Sequence, residues 1–204
     1  MRKLTLMMST TLDAKVAGSA GSLDWFLVDE GIEAARLDVL RSIDAMIFGR
    51  VSYELLADFW PTAGAAAVDD GPGGFTSPQR ADEFAHLLNT IPKIVVSHAP
   101  PELRWGPARS MSGDDVVGAV RALKAEEGRD LVLFAGAELA TTAIDADLVD
   151  EYRLMVHPIV LGKGLPLFDR IQAERTLELL DSTRFASGVV ELRYRPQPTA
   201  GDAA

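Results

Sequence analysis

The alternation of short apolar segments with helix-like segments constrains the fold of this chain more than any other feature. Four strand-like apolar runs alternate with segments whose apolar residues recur at steps of three and four; the runs are 2–9, 44–49, 93–97 and 130–134. After residue 150 the pattern changes to strand-like runs at 152–156, 176–185 and 189–194. Repeated strand–helix units favour a parallel sheet, whereas successive strands favour antiparallel pairing. The sequence therefore predicts an α/β fold, a single three-layer α/β/α domain with a mixed, mostly parallel central sheet and an antiparallel C-terminal hairpin.

The length of the chain and the absence of linkers predict its domain organisation. A chain of 204 residues is long enough for one large core and short for two. No internal repeat or linker divides it, so we expect one domain over residues 1–195. The segment 61–75 is rich in Ala, Gly, Pro and Asp and predicts a long surface loop. Residues 196–204 are expected to form a disordered tail.

Composition excludes several functional classes. The chain contains no Cys, which rules out disulfides, thiol catalysis and Cys-based metal sites. Its three His residues have no metal-ligand spacing, so we expect no metal site. A net charge of −10 disfavours nucleic acid and anionic membranes as partners. No apolar run is long enough to span a bilayer and no signal peptide is evident, so we expect a cytoplasmic protein.

The junction Gly49-Arg50-Val51-Ser52 is the first candidate binding site. An apolar strand-like run stops there and a helical pattern begins at once. A helix that starts directly after a strand presents free backbone N–H groups, and these suit a phosphate. The alternative is an ordinary strand–helix connection, which the junction by itself favours.

A second junction of the same kind is Ala135-Gly136-Ala137-Glu138, which follows the strand-like run 130–134. In open α/β sheets, ligands bind beyond the carboxyl ends of parallel strands, where helix N-termini converge. Small residues here would allow a ligand to approach the backbone closely. The alternative is tight helix–strand packing, and neither junction matches a GxGxxG motif or a P-loop.

Over about residues 2–195 the chain resembles the dihydrofolate reductase-like superfamily. Within that superfamily it resembles in particular stand-alone proteins related to the reductase domain of bifunctional riboflavin-biosynthesis deaminase-reductases. Five segments in order carry the resemblance: Ser9-Thr10-Thr11-Leu12-Asp13-Ala14-Lys15-Val16-Ala17 after the opening strand, Gly49-Arg50-Val51-Ser52-Tyr53-Glu54, Val95-Val96-Ser97-His98, Phe134-Ala135-Gly136-Ala137-Glu138-Leu139, and Val149-Asp150-Glu151 leading into Val156-His157-Pro158-Ile159-Val160-Leu161-Gly162-Lys163-Gly164.

The resemblance implies NADPH as cofactor. The implied cofactor-binding residues are Ser9, Asp13, Lys15, Gly49, Arg50, Ser52, Ser97, His98, Ala135, Gly136, Ala137 and Glu138. Arg50 and Ser52 would contact the phosphates, and Ser97 with His98 would approach the adenosine 2′-phosphate. The superfamily has a cis peptide bond beside the pyrophosphate, which corresponds here to Ala135-Gly136.

The resemblance also implies where a proton donor would lie. Folate-reducing relatives use a buried acid on the first helix, which matches Asp29 or Glu30. The alternative is that both are helix N-terminal acids that face water. The resemblance thus implies an NADPH-dependent reductase that acts on a small heterocyclic or carbonyl substrate. The alternative function is an NADPH-binding protein with little or no catalysis, and by analogy we expect a homodimer.

Overall fold

The computed structural model describes residues 1–63, 75–134 and 136–197. Most of the predicted surface loop at 61–75 lies outside the described residues. The same holds for Ala135, and so for its predicted cis bond to Gly136, and for residues 198–204 of the predicted tail. The first residues of that tail are described: the last strand reaches Pro196, and the Gln197 N–H donates to the Thr176 carbonyl at 2.9 Å.

The described residues form the following strands and helices. The strands are β1 (Leu4–Thr11), β2 (Lys15–Ala17), β3 (Ile43–Gly49), β4 (Lys93–Ser97), β5 (Ala108–Ser112), β6 (Asp130–Phe134), β7 (Glu151–His157), β8 (Leu165–Pro166), β9 (Leu177–Arg184) and β10 (Val190–Pro196). The helices are α1 (Glu30–Ser42), α2 (Arg50–Ala57), α3 (Pro78–Thr90), α4 (Val116–Ala125) and α5 (Ala137–Asp145). Across the described ranges, no helix combines the length and apolar character that crossing a membrane requires.

Eight strands form one sheet in the order β5-β4-β3-β6-β1-β7-β10-β9. The first six run parallel to one another. Strand β10 is antiparallel to both β7 and β9 and forms the C-terminal hairpin. The short strands β2 and β8 pair separately. The predicted mixed, mostly parallel sheet with an antiparallel C-terminal hairpin is therefore confirmed.

Helices cover the central sheet on both faces. Side chains on β3 alternate between two cores: Met46 and Phe48 pack with α1, α2 and α3, whereas Ala45 and Ile47 pack with α4 and α5. Because both faces are covered, the central strands read as continuous apolar runs in the sequence. The predicted three-layer arrangement is therefore confirmed.

Three strands are absent from the sequence prediction. Strand β5 lies at the edge of the sheet, and of its five residues only Met111 is buried. An edge strand needs few apolar side chains, so it leaves little periodicity to detect. Strands β2 and β8 are only three and two residues long and depend on each other for pairing.

Candidate functional site

The two strand–helix junctions lie side by side at the carboxyl edge of the sheet. Strands β3 and β6 are parallel neighbours in which Phe48 is paired with Phe134, and the two rings stack with centroids 5.7 Å apart. The next described residues after these rings are Gly49 and Gly136, which are the N-cap residues of α2 and α5. The positions predicted from two distant segments therefore converge.

The helices that leave these junctions pack on opposite faces of the sheet. Helix α2 buries Tyr53 in the core shared with α1 and α3, whereas α5 buries Leu139 in the core shared with α4. Neighbouring strands whose helices go to opposite faces leave a crevice between them, where α/β proteins bind ligands. No side chain caps the N-terminus of either helix. Both helix ends can therefore offer backbone N–H groups to an anion.

Gly136 and Ser52 form the floor of this crevice. A Cβ added to Gly136 would lie 3.7 Å from Ser52 Oγ, so the two junctions are in van der Waals range. The missing side chain and the hydroxyl together fit an approaching phosphate oxygen.

Arg50 lies at the first turn of α2 and supplies positive charge there. Its guanidinium forms an ion pair with Glu54 at 2.9 Å, one turn along the helix, and half of the Arg50 side chain is exposed. An exposed pair of this kind contributes little to stability. Arg50 can therefore exchange Glu54 for a phosphate at small cost.

Ser97 ends β4, which pairs with β3 so that Val96 lies opposite Gly49. The next residue, His98, is exposed, and its Nδ1 lies 3.0 Å from the Asp114 carboxylate. The hydrogen bonds from His98 and Ser112 lower the pKa of Asp114. Ser97 and His98 thus lie one strand from Gly49, with an acidic residue next to the imidazole.

Asp13 connects the segment after β1 to the segment after β7. Its carboxylate accepts hydrogen bonds from Thr11 Oγ1 at 2.6 Å, Leu161 N–H at 3.1 Å and Gly162 N–H at 2.8 Å. The Thr11 bond and the two backbone bonds outweigh the effect of burial and lower the pKa of Asp13 to about 2. The carboxylate therefore holds two loops together.

Lys15 lies in β2 opposite Pro166.

Asp29 is the N-cap residue of α1, and both of its carboxylate oxygens are engaged. One accepts from Ile32 N–H at 3.0 Å and the other from Ser187 N–H at 2.6 Å. Burial raises the pKa of Asp29, but the hydrogen bonds from Ser187 and Ile32 outweigh it and lower that pKa. Glu30 follows with a side chain that is 77% exposed. Asp29 thus fixes the start of α1, and Glu30 faces water.

A buried cluster at the end of β7 was not assigned to the site from sequence. His157 is fully buried, and the ring of Trp25 lies edge-on to it with centroids 5.1 Å apart. Leu27 N–H donates to His157 Nδ1 at 3.2 Å. Burial, together with the charge of Arg36, lowers the pKa of His157 to about 4. His157 stands in a segment that carries the resemblance, and its position at the end of β7 is the one signal in the sequence that could have placed it at the site.

A cleft of about 790 Å³ opens beside Trp25. It is lined by residues from the segment after β1 and by the segment after β7, including Asp24, Ile159 and Lys163. In the part of the chain that the structure describes, no group of three or more acidic or His side chains is arranged to hold a metal ion. The site therefore consists of the crevice between β3 and β6 and a separate cleft near β1 and β7.

Comparison with known proteins identifies one family and two relatives. Residues 2–191 match the RibD C-terminal domain family. The chain is 32% identical over 193 residues to the uncharacterized protein YyaP of Bacillus subtilis (strain 168), which covers 95% of this chain and 94% of that protein. It is 27% identical over 194 residues to the uncharacterized protein YwjB of the same organism, covering 95% and 97%.

Solved structures show the same fold. A candidate riboflavin biosynthesis protein from Shewanella sp. PV-4 has a TM-score of 0.73 at 19% identity, covering 97% of this chain and 100% of that one. A deaminase/reductase from Thermotoga maritima has a TM-score of 0.66 at 15% identity, and the match covers 96% of this chain and 57% of that one. A dihydrofolate reductase from Enterococcus faecalis complexed with NADP(H) has a TM-score of 0.58 at 13% identity, covering 96% and 97%.

Proposed function

Since this chain belongs to the RibD C-terminal domain family, we propose that it is an NADPH-dependent reductase of a small heterocyclic or carbonyl substrate. One observation carries the proposal. Two uncapped helix N-termini, on adjacent strands and opposite faces of the sheet, meet at a crevice whose floor is Gly136 and Ser52. This arrangement suits the pyrophosphate of a dinucleotide.

The residues at the crevice fit the phosphates of NADPH. Arg50 and Ser52 would bind the phosphates together with the N–H groups of the first turns of α2 and α5. Ser97 and His98 would approach the 2′-phosphate one strand further along the edge. Bound NADPH would supply the hydride. The carboxyl end of β1, with Ser9, would hold the nicotinamide end of the cofactor.

The names of two structural neighbours support the same proposal. The Thermotoga maritima protein is named as a reductase, and the Enterococcus faecalis enzyme is complexed with NADP(H). Their likeness to this chain is one of fold, so the cofactor assignment depends on the crevice itself. The homodimer expected from the resemblance stays a prediction.

Replacing Arg50 tests the cofactor assignment. Arg50→Ala should weaken NADPH binding about tenfold or more, since a charge-assisted hydrogen bond to phosphate is lost. NADH binding should weaken much less, because the proposal places Arg50, together with Ser97 and His98, close to the 2′-phosphate that NADH lacks. Calorimetric titration with each cofactor measures the dissociation constants of NADPH and NADH. Arg41→Ala is the matched control, since Arg41 is also half-exposed and pairs with Glu83, away from the crevice. Equal losses for NADPH and NADH would reject the assignment.

A cofactor-binding protein with little catalysis is the second candidate function. The observation that favours it is the engagement of both Asp29 carboxylate oxygens, which leaves that residue poorly suited to donate a proton. A panel of pterin, pyrimidine and carbonyl substrates distinguishes the two functions. Oxidation of NADPH with any of them supports the reductase, whereas tight NADPH binding without turnover supports the second function.

A further inference from the structure

One side of the cleft beside Trp25 is formed by the segment that follows β7. The lining residues from that segment are Ile159, Leu161, Gly162 and Lys163, and the others come from the segment after β1. A Cβ added to Gly18 would lie 3.9 Å from Leu161 Cδ1, so the two segments are in van der Waals range at that point. The position of the segment after β7 therefore sets the width of the cleft.

The segment after β7 turns sharply at Gly162. Gly162 has a φ of +71°, and the Lys163 N–H donates to the Leu161 carbonyl at 2.8 Å. A hydrogen bond between residues two apart, around a central residue with positive φ, is typical of the rarer and more strained form of γ-turn. Strained backbone persists only where its surroundings hold it in place. The turn that carries Lys163 into the cleft lining therefore needs a partner.

Asp13 is the partner of this turn. One of its carboxylate oxygens accepts from Leu161 N–H at 3.1 Å, and the other accepts from Gly162 N–H at 2.8 Å. Successive backbone N–H groups in a turn form a concave site that favours an anion. The carboxylate occupies that site and fixes the two peptide groups at which the chain turns.

Asp13 is itself anchored to the central sheet. Thr11, the buried last residue of β1, donates through Oγ1 to the Asp13 carboxylate at 2.6 Å. The same hydroxyl accepts from Lys15 N–H at 2.9 Å. Beside this anchor, Leu12 N–H donates to the Ile159 carbonyl at 2.8 Å. The position of the turn is therefore set relative to β1.

The protonation state of Asp13 suits this anchoring role. The hydrogen bond from Thr11, followed by those from Leu161 and Gly162, outweighs burial and lowers the pKa of Asp13 to about 2. The carboxylate is thus ionised at neutral pH and can only accept hydrogen bonds. Donors of the chain already engage both of its oxygens, and its charge would repel the phosphates of a dinucleotide.

We propose that Asp13 is a positioning residue of the cleft: it holds the turn at Leu161 and Gly162 in place and acts through that turn, without contacting NADPH. The turn carries Lys163, which is the one cation lining the cleft in the part of the chain that the structure describes. A substrate can use Lys163 only where the turn places it. The role of the cleft as the substrate site rests on the proposed reductase function, whereas the hold of Asp13 on the turn does not.

Asp13→Asn tests the hold on the turn directly. Asn keeps the size of the side chain but replaces one acceptor oxygen with an NH₂ donor, so Leu161 or Gly162 loses its acceptor. Hydrogen exchange of at least one of these two amides should accelerate about tenfold or more, and that of Leu12 should not change. Asp145→Asn is the matched control, because Asp145 also joins a distant segment, by accepting from Gln172 N–H at 3.1 Å. It should leave the exchange of both turn amides unchanged.

Kinetics and binding distinguish positioning from contact with the cofactor. In Asp13→Asn the NADPH dissociation constant should stay within about threefold of the wild type, whereas KM for a substrate reduced in the panel should rise about tenfold. Lys163→Met should raise KM by a similar factor while both turn amides stay protected. Because both substitutions act through Lys163, the double variant should have no higher KM than either single variant.

Three results would overturn the proposal. The first is unchanged exchange of both turn amides in Asp13→Asn. The second is an NADPH dissociation constant that rises by more than about threefold in this variant, which would show the cofactor contact that the resemblance implies. The third is a double variant in which the two KM effects multiply.

A wild-type measurement decides if Asp13→Asn does not fold. Scalar couplings across the hydrogen bonds should connect the amide nitrogens of Leu161 and Gly162 to the Asp13 carboxylate carbon, with and without NADPH. Their loss when NADPH binds would also overturn the proposal. Failure of the wild type to bind NADPH would reject the proposed function, and the exchange experiment would then decide the role of Asp13 on its own.

Discussion

Acidification should destabilise this protein through His157. The side chain is fully buried, and its environment lowers its pKa from 6.5 to about 4. In the unfolded chain that environment is absent, so between pH 6.5 and 4 the unfolded chain binds a proton that the folded chain does not bind. Protonation therefore favours the unfolded state, and the free energy of unfolding falls as the pH falls through this window. Above pH 6.5 both states are neutral at this residue and the effect vanishes.

The magnitude follows from the width of the window. One pH unit within it corresponds to about 1.4 kcal/mol. With a folded-state pKa of about 4, His157 should lower the free energy of unfolding by about 2 kcal/mol between pH 7 and pH 4.5. That is a substantial part of the 5–15 kcal/mol that is typical of a folded domain.

Urea unfolding at pH 7 and pH 4.5 provides the assay. Between pH 7 and pH 4.5, the free energy of unfolding should fall by about 2 kcal/mol more in the wild type than in His157→Gln, because Gln does not titrate. His86→Gln is the control: it removes a histidine from the exposed face of α3, and its free energy of unfolding should fall as much as that of the wild type. Equal losses in the wild type and in His157→Gln would refute the reasoning. If His157→Gln does not fold, a wild-type NMR titration in which the His157 imidazole protonates above pH 6 would refute it as well.

Two further substitutions test contacts that join segments far apart in the chain. Gly164→Ala should lower the thermal midpoint more than Gly162→Ala: both glycines have positive φ, but only at 164 would a Cβ overlap the Ala17 carbonyl oxygen. The free energy of unfolding should fall by about 1 kcal/mol in the control, Gly162→Ala, and by at least about twice that in Gly164→Ala. Equal shifts of the thermal midpoint would show that the contact with β2 is unimportant. Glu33→Gln should lower the free energy of unfolding in urea by about 2–4 kcal/mol, because it breaks a fully buried carboxylate's ion pair with Arg80. A loss below about 1 kcal/mol would contradict this.

The sequence was most informative where local periodicity and burial agree. The limits predicted for β4 and β6, at 93–97 and 130–134, are those of the structure. Strands buried on both faces must be apolar throughout, so they are visible without any knowledge of the fold. The edge strand β5 is not, since one buried side chain in five leaves no pattern. The resemblance to dihydrofolate reductase-like proteins identified the family and the fold class, and both are confirmed.

The candidate site shows the limit of such reasoning. The junction at Gly49 and the junction at Gly136 were each ambiguous in the sequence. Their proximity depends on β6 lying between β3 and β1, although β6 comes 81 residues after β3 in the chain (Gly49 to Asp130). The resemblance makes Asp29 a candidate proton donor, but its second carboxylate oxygen accepts a hydrogen bond from Ser187 N–H, 158 residues away.

The sequence by itself determined the order of the long buried strands, the two glycine-containing junctions and the absence of thiol chemistry. These properties depend on residues close together in the chain or on composition alone. Only the tertiary structure decided which ends of the strands meet, which acids are engaged, and that the rings of His157 and Trp25 are buried against each other. Hydrogen bonds and burial of this kind join segments far apart in sequence, so no local pattern can specify them.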